Sequence, residues 1–389
     1  MTQTTLRTET GSPAAKPQGH CVAALRTALT FAQLIAEQDE PAAVRCLAAS
    51  ASSPTELADV LGSQALVGFL FSRGGQSAIP PTWDDDLIER LRAVYASQVE
   101  RLDELLDILS AIDDVLVQGG IEFIALKGPL FGARYYDSPY RRRMHDLDIL
   151  IRDEQASGCI ERLESIGFAT EEPRERALSA RKRRLDHAAC LQRNGHQIDM
   201  HWQLRSAAVY RIDQERLWRE AHSFPWRGRI YRVLSPDGEI TLHLLSIAHD
   251  LERSACLVKH LVDAYCLIRR HEPSIDWHDF LRRRARESTA TVCLNVLDLL
   301  LRLFRCGEAW PRIRAVVGPE RGRIVCRTND DAIRLLAGRR GNFSNQRWFA
   351  RVYPNWHWRA VRQFVDRNLE RPQRVPWLMI KAIRRRLAA

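Results

Sequence analysis

Two aspartates stand one residue apart in the stretch RRRMHDLDILI, residues 141–151. The leucine and isoleucines that alternate with them predict a β-strand with one buried face, because successive side chains point to opposite sides of a strand. Asp146 and Asp148 then project together from the other face. Two carboxylates that close repel each other unless a cation lies between them, and such oxygen ligands suit Mg²⁺ or Mn²⁺. The alternative is a pair of solvated acids on the exposed face of a half-buried strand.

A third candidate carboxylate lies in HQIDMHWQL, residues 196–204. Apolar and polar residues alternate there as well, so Asp199 and His201 share one face of a second predicted strand. We expect Asp199 to converge with Asp146 and Asp148 at the end of a shared sheet.

Basic residues and a glycine flank these acids. In ALKGPL, Lys127 and Gly128 lie at the end of one predicted strand and the start of a helix. Backbone N–H groups and a lysine can bind phosphates at such a turn. The run RRR at 141–143 adds positive charge directly before the acids. A phosphate-binding turn beside a carboxylate-bound metal predicts phosphoryl or nucleotidyl transfer.

The elements that must position these residues differ in periodicity. Apolar residues recur at three- and four-residue spacing over 23–118 and again after Pro236, which predicts helices in both regions. Between them, short strand-like runs alternate with helical ones, and Asn194-Gly195 predicts a hairpin turn. The predicted fold class is therefore α+β, a small mixed sheet with helices, flanked by N-terminal and C-terminal helical regions.

The predicted division of the chain has five parts. They are a disordered tail (1–22), an N-terminal helical region (23–114), an α/β core (115–215), a C-terminal helical bundle (216–340) and a basic, aromatic-rich tail (341–389).

Composition limits the class of protein. The nine cysteines are irregularly spaced without a C-x-x-C pair, which favours reduced thiols over disulfides or a zinc site. The N-terminus lacks the apolar run of a secretory signal, and no apolar run is long enough to span a bilayer. The expected location is cytoplasmic, with peripheral attachment to a membrane as a further option.

Nine of the ten net positive charges lie in residues 341–389, which hold eleven Lys and Arg against two acids. Five aromatic residues between Trp348 and Trp358 are interleaved with these arginines. Such a segment suits an anionic membrane surface or a polyanion such as a nucleic acid. A helical cap packed on its own bundle would have much the same sequence.

The segments LKGPLFGARYYDSPYRRRMHDLDILI, LESIGF and HQIDMHWQL resemble a family of uncharacterised bacterial nucleotidyltransferases. That family belongs to the superfamily with the DNA-polymerase-β-like nucleotidyltransferase fold. Residues 115–205 resemble it best, and LLSIAHDL and LVDAYCLI resemble its helical C-terminal part. The resemblance implies that Asp146 and Asp148 form the metal-binding pair and that Asp199 is the third carboxylate.

The resemblance also implies a place for the nucleotide. Lys127 and Gly128 would lie at the triphosphate loop and Arg142 near the nucleotide phosphates. Pro129 departs from the Gly-Ser or Gly-Gly turn of the wider superfamily and removes one N–H donor. Four further positions are supporting or acceptor-site candidates, namely His187, His201, His249 and Asp263.

The implied reaction is Mg²⁺-dependent transfer of a nucleoside monophosphate from an NTP, by default ATP, to a hydroxyl, with release of pyrophosphate. Asp199 would help to remove the hydroxyl proton. The acceptor stays open among a sugar, a polysaccharide precursor, a peptide and an antibiotic-like molecule, as in biosynthetic tailoring.

Two alternatives remain. One is a catalytically weak nucleotide-binding or interaction module of the same fold. The other is a metal phosphohydrolase centred on His249-Asp250, with His243 and Asp263 nearby.

Overall fold

The computed structural model describes residues 22–71, 78–205, 210–252, 255–337 and Val352. The predicted N-terminal tail, apart from Val22, and the predicted basic tail, apart from Val352, lie outside these described residues. Among the helices of the described ranges, none is long and apolar enough to cross a membrane.

The chain begins with helices. Three short helices precede one of 34 residues, in the order α1 (Val22–Ala36), α2 (Glu40–Ala48), α3 (Pro54–Ser63) and α4 (Asp85–Gln118). The Asp84 side chain caps α4 by accepting a hydrogen bond from the Leu87 N–H at 2.8 Å, which satisfies one of the free donors at the helix start. After α4, Gly120 takes a positive φ of 64° and turns the chain toward the sheet.

The central region alternates strands and helices. Its elements are β1 (Phe123–Ala125), α5 (Gly128–Tyr135), β2 (Asp146–Ile151), α6 (Ala156–Ser165), β3 (Ala169–Thr170), α7 (Arg174–Ala177), α8 (Ala180–Leu185), β4 (Ala188–Arg193), β5 (His196–His201), α9 (Gln214–Glu220), β6 (His222–Trp226) and β7 (Arg229–Val233). The strands form one mixed seven-stranded sheet in the order β3-β4-β5-β2-β1-β7-β6. This architecture confirms the predicted α+β fold class.

Two hairpins complete the sheet, and sequence analysis found only the first. Asn194 and Gly195 join β4 to β5 with positive φ angles of 49° and 78°, as that dipeptide predicts. Arg227 and Gly228 join β6 to β7 in the same way, with φ angles of 48° and 76°. The second hairpin lies beyond residue 215, in the stretch that we expected to be helical. Pro225 obscured it, because proline is tolerated only in an edge strand, and β6 is such a strand.

The C-terminal part is helical as predicted. It contains α10 (Pro236–Glu252), α11 (Val258–His271), α12 (Trp277–Arg286), α13 (Ala290–Leu303), α14 (Pro311–Val317) and α15 (Asn329–Ala337).

The two faces of the sheet belong to different cores. Leu147, Ile149 and Met200 lie in a core shared with α4 and α6. Ile124 and Leu150 lie in a larger core that joins the N-terminal helices α1–α3 to the C-terminal helices. Side chains alternate along β2, so the acids share the face of Leu150 and point toward the C-terminal helices.

Candidate functional site

Strand pairing brings the aspartates together. Strands β2 and β5 run parallel, with Asp148 directly beside Asp199 and Asp146 beside Gln197. Paired residues of neighbouring strands project from the same face, so Asp148 and Asp199 stand next to each other on the face that carries Asp146. All three aspartates line one cavity of about 340 Å³.

A histidine completes a cluster with metal-ligand chemistry. His201 Nε2 lies 3.0 Å from Asp148 Oδ1. One ligand atom each from Asp148, Asp199 and His201 lies within 4.8 Å of the other two. His201 is only 7 % exposed, and its Nδ1 is buried without a hydrogen-bond partner. Two carboxylates and a buried imidazole so close together fit a divalent cation.

The charges of the acids are coupled. Burial, and then the charge of Asp148, raise the pKa of Asp146. The same two causes raise the pKa of Asp199. Burial also opposes ionisation of Asp148, but Lys127, the hydrogen bond with His201 and the charge of Arg205 outweigh it, so the pKa of Asp148 falls below its usual value. Asp148 is therefore the carboxylate that the surrounding cations keep ionised, and its negative charge opposes ionisation of the other two.

One arginine of α4 ties the two acid-bearing strands at their starts. Arg101 Nη2 donates to the carbonyl oxygens of His145 (3.1 Å) and Gly195 (2.8 Å). These residues directly precede β2 and β5. A slip of one residue between the strands would turn every side chain of one strand to the other face, and these bonds oppose such a slip.

Lys127 and Gly128 occupy the turn from β1 into α5. Lys127 lines the cavity, and its Nζ donates to Ser246 Oγ of α10 at 3.1 Å. Gly128 does not line the cavity but begins α5 with a positive φ of 71°, a conformation that side chains disfavour. Lys127 therefore lines the cavity of the aspartates from the residue just before α5, a helix whose first residue must be glycine to adopt its positive φ.

Arg142 lines the cavity but is already engaged. Its Nε lies 3.0 Å from both carboxylate oxygens of Asp263, and its Nη2 lies 2.9 Å from Oδ2. Tyr136 Oη donates to the same carboxylate at 2.7 Å. Both side chains of the ion pair are nearly inaccessible, at 6 % and 1 % exposure. The pair forms a buried part of the cavity wall, and the phosphate contact expected for Arg142 stays a prediction.

The remaining sequence candidates are two histidines near the cluster. His187 lines the cavity with its ring centre 5.3 Å from that of His201. Burial, followed by the charge of His201, lowers the pKa of His187 to about 2, so it is neutral at physiological pH. His249 lies on α10, does not line the cavity, and depresses the pKa of His187 through its charge.

Sequence analysis missed several cavity residues that come from distant parts of the chain. These are His145, Arg205, Ser246, Lys259 and His260. Lys259 and His260 could have been found from the stretch VKHLVDAYCLI, which is otherwise apolar and helical in pattern. Lys259 stands there one helical turn before Asp263, and such a charged pair inside an apolar helix indicates a buried polar site. Burial, and then the charge of Arg142, lower the pKa of Lys259 to about 8, so its ammonium stays largely charged at neutral pH.

The phosphohydrolase alternative has little geometric support. Among the described residues, the group with metal-ligand spacing is the one formed by Asp148, Asp199 and His201, and it includes neither His249 nor Asp250. Asp250 Oδ2 lies instead 3.0 Å from His260 Nδ1.

Comparison with known proteins agrees with this geometry. The family described as Uncharacterised nucleotidyltransferase matches residues 50–305, a range that contains every residue lining the cavity. No curated protein matches the chain. The family match covers well over half of the 389 residues. The chain, with its cluster of strand-borne aspartates, therefore belongs to the Uncharacterised nucleotidyltransferase family.

Proposed function

We propose that this protein transfers a nucleoside monophosphate from an NTP to a hydroxyl of an acceptor molecule and releases pyrophosphate. The observation that carries the proposal is the in-register pairing of Asp148 with Asp199, beside Asp146, in the wall of a cavity that lysine and arginine side chains also line. Nucleotidyl transfer needs carboxylates at the reacting phosphate and cations around the leaving group, and the cavity offers both.

Asp146, Asp148 and Asp199 are the proposed ligands of Mg²⁺ or Mn²⁺, with His201 as an added ligand or as the partner that orients Asp148. The fit rests on the donor set, since ligand atoms of Asp148, Asp199 and His201 lie within 4.8 Å of one another. A bound divalent cation would offset negative charge on the α-phosphate and align it with the attacking hydroxyl.

The chain's own cations have a separate role. Lys127 lines the cavity from the turn after β1, Lys259 lines it from α11, and Arg205 lines it from a position four residues beyond the end of β5. We assign these three to the triphosphate, where they would stabilise the negative charge of the departing pyrophosphate. Arg142 would act indirectly, by holding Asp263 in place.

Direct measurement of metal-dependent transfer tests the proposal. Purified protein is incubated with each α-³²P-labelled NTP, with Mg²⁺ or Mn²⁺, and with pools of hydroxyl-bearing acceptors, and pyrophosphate release is followed. We expect transfer with ATP, and we expect Asp148→Asn and Asp199→Asn each to lower its rate by at least about 10²-fold, because each removes one charged ligand.

Asp107→Asn is the matched control. It removes the same charge from an exposed position on α4, outside the cavity, and should leave the rate unchanged. Nucleotide binding without transfer in any pool would favour the binding-module alternative. A rate that survives Asp148→Asn while still requiring Mg²⁺ would contradict the assignment of the ligands.

A further inference from the structure

A carboxylate–histidine pair lies in the helical wall of the cavity. Asp250 belongs to α10 and His260 to α11, and Asp250 Oδ2 lies 3.0 Å from His260 Nδ1. Both residues line the cavity that also contains the three aspartates. The exposed fraction of the side chain is 26 % for Asp250 and 27 % for His260. The nucleotidyl transfer proposed above gives neither residue a role.

This arrangement prepares a histidine to accept a proton. His260 Nδ1 makes no hydrogen bond in the structure, but the carboxylate charge of Asp250 at 3.0 Å favours the tautomer with its proton on that nitrogen, which leaves Nε2 with a lone pair. Burial lowers the pKa of His260 and outweighs Asp250, which raises it, so the ring is neutral at physiological pH. A neutral imidazole held by a carboxylate is a good general base.

Asp199 is less suited to that task. It stands beside Asp148 and already accepts a hydrogen bond from Gln197 Nε2 at 2.9 Å. In the proposed site it would also hold a divalent cation, and a carboxylate that binds a cation is a weaker proton acceptor. The hydroxyl proton therefore needs another destination.

The shared cavity supplies it. The aspartates project from the sheet toward the C-terminal helices, and the Asp250–His260 pair lies on two of those helices, α10 and α11, and lines the same cavity. A substrate whose α-phosphate lies at the aspartates would have its acceptor hydroxyl inside the cavity that His260 lines.

We propose that His260 removes the proton from the acceptor hydroxyl and that Asp250 is the positioning residue that orients it; this inference rests on the proposed function. The hydroxyl proton passes to His260 Nε2 as its oxygen forms a bond to the α-phosphorus. The bond from the α-phosphorus to the bridging oxygen breaks, and pyrophosphate leaves with that electron pair. His260 then returns its proton to solvent.

Chemical rescue of a histidine variant tests this assignment in the full-length protein. The probe reaction uses α-³²P-labelled ATP with Mn²⁺ and glycerol as a surrogate hydroxyl acceptor, with water alone as a second acceptor. We expect His260→Ala to lower kcat by about 10²-fold or more, the usual contribution of a general base. Its affinity for α,β-methylene-ATP should stay near that of the wild type. Added imidazole should restore turnover in proportion to its concentration, which a purely structural role would not produce.

Two further variants complete the design. His278→Ala removes an exposed histidine of α12, outside the cavity, and should leave kcat and imidazole response as in the wild type. Should His260→Ala lose its folded circular-dichroism spectrum, His260→Gln keeps a polar side chain of similar length and should show the same loss of kcat with retained nucleotide affinity.

The outcomes separate the two proposals. Wild-type kcat in the His260 variant, or a loss that imidazole leaves unchanged, overturns the role of His260 while metal-dependent nucleotide binding still supports the proposed function. A wild-type protein that neither binds α,β-methylene-ATP with Mn²⁺ nor turns over ATP overturns both.

Discussion

Among single side chains, Arg142 and Asp263 form a deeply buried ion pair in the lining of the site. Removing one partner of such a pair leaves the other charge buried and uncompensated, which commonly costs about 3–5 kcal/mol. We expect Asp263→Asn to lower the free energy of unfolding by about that amount, measured by urea denaturation. Glu89→Gln, which breaks the exposed pair with Arg92, is the control and should change it by less than about 0.5 kcal/mol. Equal effects in the two variants would contradict the structural role given to Asp263.

The pH dependence of the same comparison gives a second readout. Burial raises the pKa of Asp263, but Arg142, His243 and Lys259 outweigh it and bring the pKa down from 3.8 to about 2. A carboxyl with a depressed pKa binds protons more weakly in the folded state than in the unfolded state, so it stabilises the fold above its unfolded pKa. The stability gap between wild type and Asp263→Asn should therefore be constant above about pH 5 and shrink as the pH falls from there toward 2.

At the level of helices and strands, the start of α5 depends on backbone freedom. An alanine Cβ at Gly128 would meet its nearest atom, Leu147 Cδ2, at an ordinary 3.6 Å, so the positive φ of 71° is the obstacle rather than space. We expect Gly128→Ala to cost about 1–2 kcal/mol of stability. Gly62→Ala, in the last turn of α3 with nothing within 4 Å, should instead stabilise by about 0.5–1 kcal/mol. Thermal unfolding should show a lower melting temperature for Gly128→Ala and a higher one for Gly62→Ala. A stabilising Gly128→Ala would refute this expectation.

Periodicity was sufficient to predict the elements near the acids. Strand β2 spans Asp146–Ile151 and β5 spans His196–His201, both inside the stretches where strands were expected, because alternation and a hairpin dipeptide are local signals. The hairpin of β6 and β7 was missed, since Pro225 is compatible with a strand only at a sheet edge, and edge position is a property of the whole fold.

The helical wall of the cavity could not be predicted for a similar reason. Lys259 and His260 line the same cavity as the acids because α11 contacts segments more than a hundred residues away, as in the bond from Lys259 Nζ to the Arg143 carbonyl before β2. The three acids that the sequence singled out line one cavity, whereas the prediction for Arg142 at the phosphates was made without its buried partner Asp263.

For the molecule as a whole, the uneven charge suggests where it works. Residues 341–389 carry nine of the ten net positive charges. We propose that this tail brings the protein to an anionic membrane surface, and we expect deletion of residues 371–389 to weaken co-sedimentation with phosphatidylserine vesicles. Turnover of a small soluble acceptor should not change. Binding by the full-length protein should fall as salt is raised from 50 to 500 mM, roughly a three-fold shortening of the screening length.

Other results would redirect this proposal. Salt-dependent binding to a nucleic acid without binding to vesicles would identify a polyanion as the partner. Unfolding of the truncated protein would make the tail part of the helical core.

The larger core also has a consequence for the order in which the protein can fold during its synthesis. Arg26 of α1 pairs with Asp330 of α15, 304 positions later, and α1–α3 share their core with the C-terminal helices. Chains leave the ribosome from the N-terminus, so the apolar sides of the first three helices emerge long before their partners exist. The sheet has its own core with α4 and α6, and all of its strands are complete by Val233. The strands that carry the aspartates can therefore pair on the nascent chain before the C-terminal helices are made. The apolar sides of α1–α3, although synthesised first, are covered only after those helices emerge.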